Sequence, residues 1–149
     1  EGSFQATDNL LLTGSAGYLH TEINDFVAQS GLDQDGRDQA QAPKYQYAFT
    51  ARYNFTPALY ASIGLEGKDD YYFSDSHNSK APSTNLVNAS FGYEGDNWSI
   101  NAWARNLFDE DVPTRGFEFG NDPLDGYTTH TYTQLGEPMV AGVTFIYEL

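Results

Sequence analysis

In the stretch TRGFEFGNDPLDGYTTHTYTQ, residues 114–134, one guanidinium, Arg115, is interspersed with Phe117, Phe119, Tyr127, His130 and Tyr132. A cation set among flat rings offers charge and stacking together, which suits an aromatic or anionic small molecule. The plainer reading is a set of solvated loop residues. A second stretch, DYYFSDSHNSK at 70–80, adds Tyr71, Tyr72, Phe73 and His77. Its rings fit an interface belt better than a ligand site, and a single histidine is first of all a polar loop residue. A third stretch, DQDGRD at 33–38, sets Asp33, Asp35 and Asp38 close together. It lacks the spacing and distant bidentate glutamate of an EF-hand loop, so no metal site is expected and its acids read as loop solvation. No serine has a histidine and carboxylate at usable spacing, so no catalytic residues and no enzyme are expected.

Such residues need a framework. The chain of 149 residues is short enough for one domain. It has no cysteine, which removes disulfides and thiolate metal sites. A net charge of -14 with seven scattered Lys and Arg argues against nucleic acid as a partner. No apolar run reaches the length of a membrane-spanning helix, and Glu1 opens no signal peptide. Yet eleven Tyr, ten Phe and two Trp are many for so polar a chain, and their placement needs a reason.

Apolar residues recur at every second position in five segments, the mark of strands whose faces meet different surroundings. In YQYAFTARYNF, residues 45–55, Tyr45, Tyr47, Phe49, Ala51, Tyr53 and Phe55 alternate with polar Gln46, Thr50, Arg52 and Asn54. LYASIGLEG, LVNASFGYEG, WSINAWARN and MVAGVTFIYEL repeat the pattern, LLLTGSAGYLHTEI at 10–23 repeats it weakly, and residues 1–6 read as part of another strand. The connections TDN (7–9), TPA (56–58) and GDN (95–97) are tight turns, whereas residues 26–44, 74–85 and 108–137 form long acidic loops. The expected fold is all-β: an antiparallel up-and-down meander of about seven strands.

A soluble sandwich or a lipocalin-like barrel would also alternate, with its apolar face inward. Two features favour the opposite orientation, as part of a transmembrane β-barrel. Aromatics gather at strand ends, Tyr53, Phe55, Tyr93, Trp98 and Tyr147 by the tight turns and Tyr45, Tyr71, Tyr72, Phe73 and Phe108 by the long loops, as at two membrane interfaces. The other face is small and hydrophilic and suits a wet lumen, where Arg52 and Arg105 are expected to pair with Glu66 or neighbouring carboxylates.

NWSINAWARNLFDEDVPTRGF, from residue 97, and the closing YTQLGEPMVAGVTFIYEL resemble the last strands of TonB-dependent outer-membrane receptors. Trp98, Arg105, Asn106, Leu107 and Asp109 match the first family pattern; Gly136, Glu137, Pro138, Gly142, Val143 and Tyr147 match the second. QAPKYQYAFTARYNF, from residue 41, resembles the entry to an earlier strand, so the likeness runs along nearly the whole chain. Leu149 stands where the family usually has Phe, and Met139 where it usually has a basic or polar residue.

The resemblance implies that residues 1–149 are the C-terminal portion of a receptor barrel of 22 strands, whose plug and earlier strands lie outside this chain. It implies location in the bacterial outer membrane and import of a scarce nutrient energised through TonB. A ferric siderophore comes first among the cargoes, with haem, cobalamin or a glycan after it. Implied partners are the rest of the barrel and its plug, the TonB complex, outer-membrane lipid and lipopolysaccharide, and the small-molecule chelate. No cofactor is implied. Phe145, Tyr147 and Leu149 would act as a C-terminal insertion signal as well as lipid-facing residues. A soluble lipocalin-like ligand-binding module and a small outer-membrane anchor barrel remain the alternatives.

Overall fold

The computed structural model describes residues 1–29 and 31–148. Seven strands make one antiparallel sheet: β1 (Gly2–Thr7), β2 (Leu10–Tyr18), β3 (Tyr45–Asn54), β4 (Leu59–Lys68), β7 (Thr84–Glu94), β8 (Trp98–Arg105) and β11 (Val140–Tyr147). Each pairs with its neighbour in that order, so the meander expected from the alternation is present, with β1 and β11 as open edges. Two small hairpins sit in the long connections: β5 (Tyr71–Tyr72) with β6 (Lys80–Ala81), and β9 (Pro113–Phe119) with β10 (His130–Leu135).

Register follows from turn chemistry. At the first turn Thr7 Oγ1 accepts the N–H groups of Asn9 and Leu10 at 3.3 and 3.1 Å. At the second, Thr56 Oγ1 takes those of Ala58 and Leu59 at 3.2 and 3.0 Å, while Pro57, which has no N–H, needs no partner. At the third, Gly95 donates to Trp98 O at 2.7 Å and leaves room for the Trp98 indole above it. A one-residue slip at any turn would exchange the faces of a strand.

With register fixed, like meets like across the sheet. Leu10, Tyr53, Ala61, Phe91, Ala102 and Val143 lie side by side in one row. Leu12, Ala51, Ile63, Ala89, Ala104 and Ala141 form the next. Every charged residue of the seven strands, namely Arg52, Glu66, Lys68, Glu94 and Arg105, lies on the opposite face. The apolar face covers nothing: Phe49, Ile63, Phe91 and Val143 are 51%, 55%, 52% and 67% exposed. None of the buried apolar side chains among the described residues belongs to this sheet. A lipocalin-like module would need these residues inside a closed cavity, so the arrangement is opposite to that alternative.

Aromatic rings rim the apolar face at both ends. By the tight turns Tyr93 stacks on Trp98 at 5.1 Å, Trp98 lies 6.3 Å from Phe145, and Tyr53 meets Phe55 edge-on at 5.0 Å. By the long loops Tyr45 stacks on Tyr47 at 6.3 Å, beside Tyr18. At a rise of about 3.3 Å per residue and a tilt of roughly 40°, the 10 residues of β3 span about 25 Å, the height of the apolar band of an outer-membrane barrel.

Several expectations need correction. The strand read over 10–23 leaves the sheet after Tyr18, because Ile23 N–H bonds Arg37 O inside its own loop. Arg52 and Arg105 pair with neighbouring carboxylates as expected, Glu94 at 3.0 Å and Glu137 at 2.7 Å, but not with Glu66, which takes Asn88 Nδ2 at 3.1 Å. Glu66 lies two polar-face rows from Arg52 and cannot reach it. The polar face also carries two large rings. Tyr60 covers Gly92 and holds the Arg52 guanidinium 3.6 Å from its centroid, and Trp103 covers Gly142 and donates to Thr144 Oγ1 at 3.1 Å. Phe145 and Tyr147 lie on the apolar face as expected from their parity, and Leu149 falls outside the described residues.

Candidate functional site

The three long connections leave the same end of the sheet, opposite the tight turns, and pack into one layer. Its centre is a small apolar cluster of Tyr71, Phe73 and Ala81. Tyr71 is 6% and Phe73 7% exposed, so these two rings are core residues of the loop layer rather than an interface belt or ligand contacts. Buried polar side chains of the 19–44 loop fasten it to the β5–β6 hairpin. Arg37 donates to Ser74 O at 2.7 Å, His77 O at 2.9 Å and Asn78 Oδ1 at 3.0 Å, with its guanidinium 4.2 Å from the Tyr72 ring. Gln34 donates to Asp75 O, and Gln41, itself an exposed residue, donates to Phe73 O at 2.8 Å. Lys80 pairs with Asp70 at 2.7 Å, its hydrogen bond holding the Asp70 carboxyl below the usual carboxylate range.

The β9–β10 arm lies across this layer. Antiparallel pairing sets Tyr132 opposite Phe117, His130 opposite Phe119 and Gln134 opposite Arg115, so Arg115, Phe117, Phe119, His130 and Tyr132 share one face. Phe119 and Tyr132 stack at 4.5 Å, and the Arg115 guanidinium lies 5.4 Å from the Phe117 ring. Tyr132 donates to Asn121 Oδ1 at 2.7 Å, and His130 Nε2 is 2.7 Å from Asp125 Oδ2. Tyr127, at φ 62°, follows Gly126, the left-handed cap of the short 3-10 turn Pro123–Asp125 at the tip, and is exposed. The spacing that singled out these residues is that of a hairpin face, which a loop reading of 108–137 did not anticipate.

The opposite face of the arm meets the loop layer. Phe73 fills the space left by the missing side chain of Gly116, and Glu118 accepts from Ser79 Oγ. Between arm and layer a cleft of about 620 Å³ is lined by Gln41, Phe73, Ser74, His77, Arg115 and Phe117. The structure thus brings His77 to the edge of the arm face, buried, with its Nδ1 accepting the Ser79 N–H at 3.3 Å. Tyr72 lies away from it, between Arg37 and Lys80. Replacing Gly116 by Ala would drive a methyl group into the Phe73 ring, so that ring or the arm must shift. The arm is then expected to lift, measured as faster amide exchange at Thr131 and Ser79 with the seven-strand sheet unaffected.

Ser79, His77 and Glu118 meet here although the sequence shows no such set. They do not form a nucleophilic triad, since the Ser79 hydroxyl donates directly to the carboxylate and His77 accepts from backbone instead of from Oγ. Asp33 and Asp35 cap backbone N–H groups of their own loop and Asp38 pairs with Lys44 at 3.0 Å. Among the described residues no group of three His, Cys, Asp or Glu is arranged to hold a metal ion.

The arm is set by a neck that sequence reasoning matched only as a motif. Asn106, 3% exposed at φ 47°, ends β8 in the left-handed region. Its N–H donates to Asn88 Oδ1 at 3.0 Å, and its Nδ2 donates to Glu110 O at 2.9 Å and Glu137 O at 3.2 Å. Its Oδ1 accepts Glu110 N–H at 2.9 Å. Asp109 Oδ1 accepts Met139 N–H at 2.7 Å, and Arg105 bridges to Glu137. ARNLFDE and GEPM are therefore two ends of one clamp closing the base of the excursion from 106 to 139.

No family model matches the chain. Among solved structures it resembles the siderophore receptor PiuA from Acinetobacter baumannii, at a TM-score of 0.72 and 20% identity, over 97% of this chain and 20% of that one. It also resembles a variant of the ferric enterobactin receptor PfeA from Pseudomonas aeruginosa, at 0.55 and 18% identity, over 73% of this chain and 16% of that one. The chain thus spans about a fifth of the length of these receptors, and at such identities the likeness is one of fold. The seven-strand meander has the fold of a sector of a receptor-type β-barrel wall.

Proposed function

We propose that the chain is one sector of an outer-membrane receptor that imports a scarce nutrient, a ferric siderophore first, with energy supplied through TonB. In this reading the apolar face lies against lipid and the polar face looks into a lumen closed by a plug and by further strands that pair with the open edges of β1 and β11. The observation that carries it is the absence of any charged side chain from the exposed apolar face of seven consecutive strands, rimmed by two aromatic belts. Water would not tolerate so large an uncovered apolar surface, whereas hydrocarbon requires it. Fold likeness to two siderophore receptors supports the choice of cargo class.

The arm face is the proposed contact with cargo. Arg115 would meet oxygen charge on the chelate, while Phe117, Phe119 and Tyr132 would cover its flat or apolar parts, with Tyr127 and His130 at the tip. Phe145, Tyr147 and Leu149 would serve the insertion machinery, and lipopolysaccharide would border the loop layer. Arg115→Ala in the complete receptor is expected to weaken binding of a ferric siderophore about tenfold, the scale of one lost partly desolvated cation contact, read by quenching of intrinsic fluorescence. Unchanged affinity would remove the arm face from the binding site.

A further inference from the structure

Charge on the loop side goes further than the presence of a site, because it limits what cargo can approach. Carboxylates number five in residues 19–44, three in 69–83 and seven in 106–139, of which Glu137 is paired with Arg105 at the strand end, against only Arg37, Lys44, Lys80 and Arg115 within the loops. Three of those four cations are already engaged. Arg37 is buried among the oxygens of Ser74, His77 and Asn78. Lys44 pairs with Asp38 at 3.0 Å and Lys80 with Asp70 at 2.7 Å. Among the described residues Arg115 is the one loop-side cation without an oxygen partner, resting on Phe117 alone.

We propose that this sector of the mouth selects a ferric chelate of low net charge, neutral or singly anionic, and disfavours a trianionic tris-catecholate complex. The inference rests on the chelate reading above. A single free guanidinium offsets one negative charge, whereas three would face a strongly negative surface. The exposed rings of Phe117, Phe119 and Tyr132 offer contact area that does not depend on ligand charge. Because most of these acids are exposed, their repulsion is screened by salt, which gives the inference a signature distinct from shape selection.

The test is equilibrium binding to the complete receptor in detergent, with a neutral ferric trihydroxamate and trianionic ferric enterobactin as probes, each at 20 and 300 mM salt. The expected result is at least tenfold tighter binding of the trihydroxamate at low salt. Tris-catecholate affinity should rise several-fold with added salt while that of the trihydroxamate stays flat. Glu22→Gln combined with Asp111→Asn, two exposed acids outside the arm face, should raise tris-catecholate affinity at low salt only. Tighter tris-catecholate binding at low salt, or affinity for it that falls as salt rises, overturns the charge selection and leaves the chelate reading standing. Binding of neither probe overturns both.

Discussion

Arginine in place of Ile63 is expected to cost about 2 to 4 kcal/mol of membrane-folded stability, the range for a cation held at mid-depth on the lipid side of a barrel. Ile63 is more than half exposed, stands midway along β4, and has Ala51 and Ala89 as its cross-strand neighbours, so no carboxylate is in reach. Thr50→Arg supplies the control. Thr50 lies one residue from Ala51 on the neighbouring strand, but on the polar face beside Gly64. There the new guanidinium would enter the surroundings that already accept Arg52, and the expected change is close to zero. Urea midpoints of the complete receptor refolded into bilayers would report both. Equal losses at the two positions would mean that the faces do not differ in their solvent.

Asn106→Ala should loosen the arm more than any other single change in the loop layer. The side chain makes three hydrogen bonds to backbone at a nearly fully buried position, each worth roughly 0.5 to 1.5 kcal/mol. Alanine also tolerates the positive φ less well than asparagine, by about 1 kcal/mol. The expected local loss is about 3 kcal/mol, seen as faster amide exchange at Glu110, Gly136 and Met139. Asn106→Gly keeps the backbone geometry and should recover about 1 kcal/mol of that. Arg105→Ala should cost far less, since its pair with Glu137 is half exposed on both sides. Binding of ferric chelate should weaken with Asn106→Ala although Asn106 does not belong to the arm face, because the neck sets where that face points.

Most of the sheet was legible because each strand carries its own parity. Tyr45 to Asn54 declares two faces without reference to any neighbour, and the Thr-based turns set register locally. The pairing of Arg52 was not legible. Which carboxylate reaches it depends on Tyr60 lying over Gly92 and leading the guanidinium towards Glu94, a contact across 42 positions. Tyr71 and Phe73 illustrate a second limit. An aromatic pair beside a loop reads the same whether it faces an interface or forms a local core, and Gly116, over 40 positions away, decides between the two. The arm was hidden for a related reason. Residues 113–119 and 130–135 alternate only in part, because Gly116, Thr131 and Thr133 face the loop layer where an apolar residue would have completed a strand pattern.

The central claim is that the apolar rows touch hydrocarbon and the polar rows touch water. These 149 residues hold no cysteine, so a direct measurement needs only that any cysteine elsewhere in the receptor be replaced first. Single cysteines at Ile63, Phe91 and Val143, and at Thr50, Ser90 and Thr144, would be spin-labelled in the complete receptor reconstituted in bilayers. Collision rates with molecular oxygen and with a water-soluble nickel chelate would then be compared. The account predicts high oxygen and low nickel accessibility at the first three positions and the reverse order at the other three. Nickel access at Ile63, Phe91 and Val143 equal to that at Thr50, Ser90 and Thr144 would contradict it.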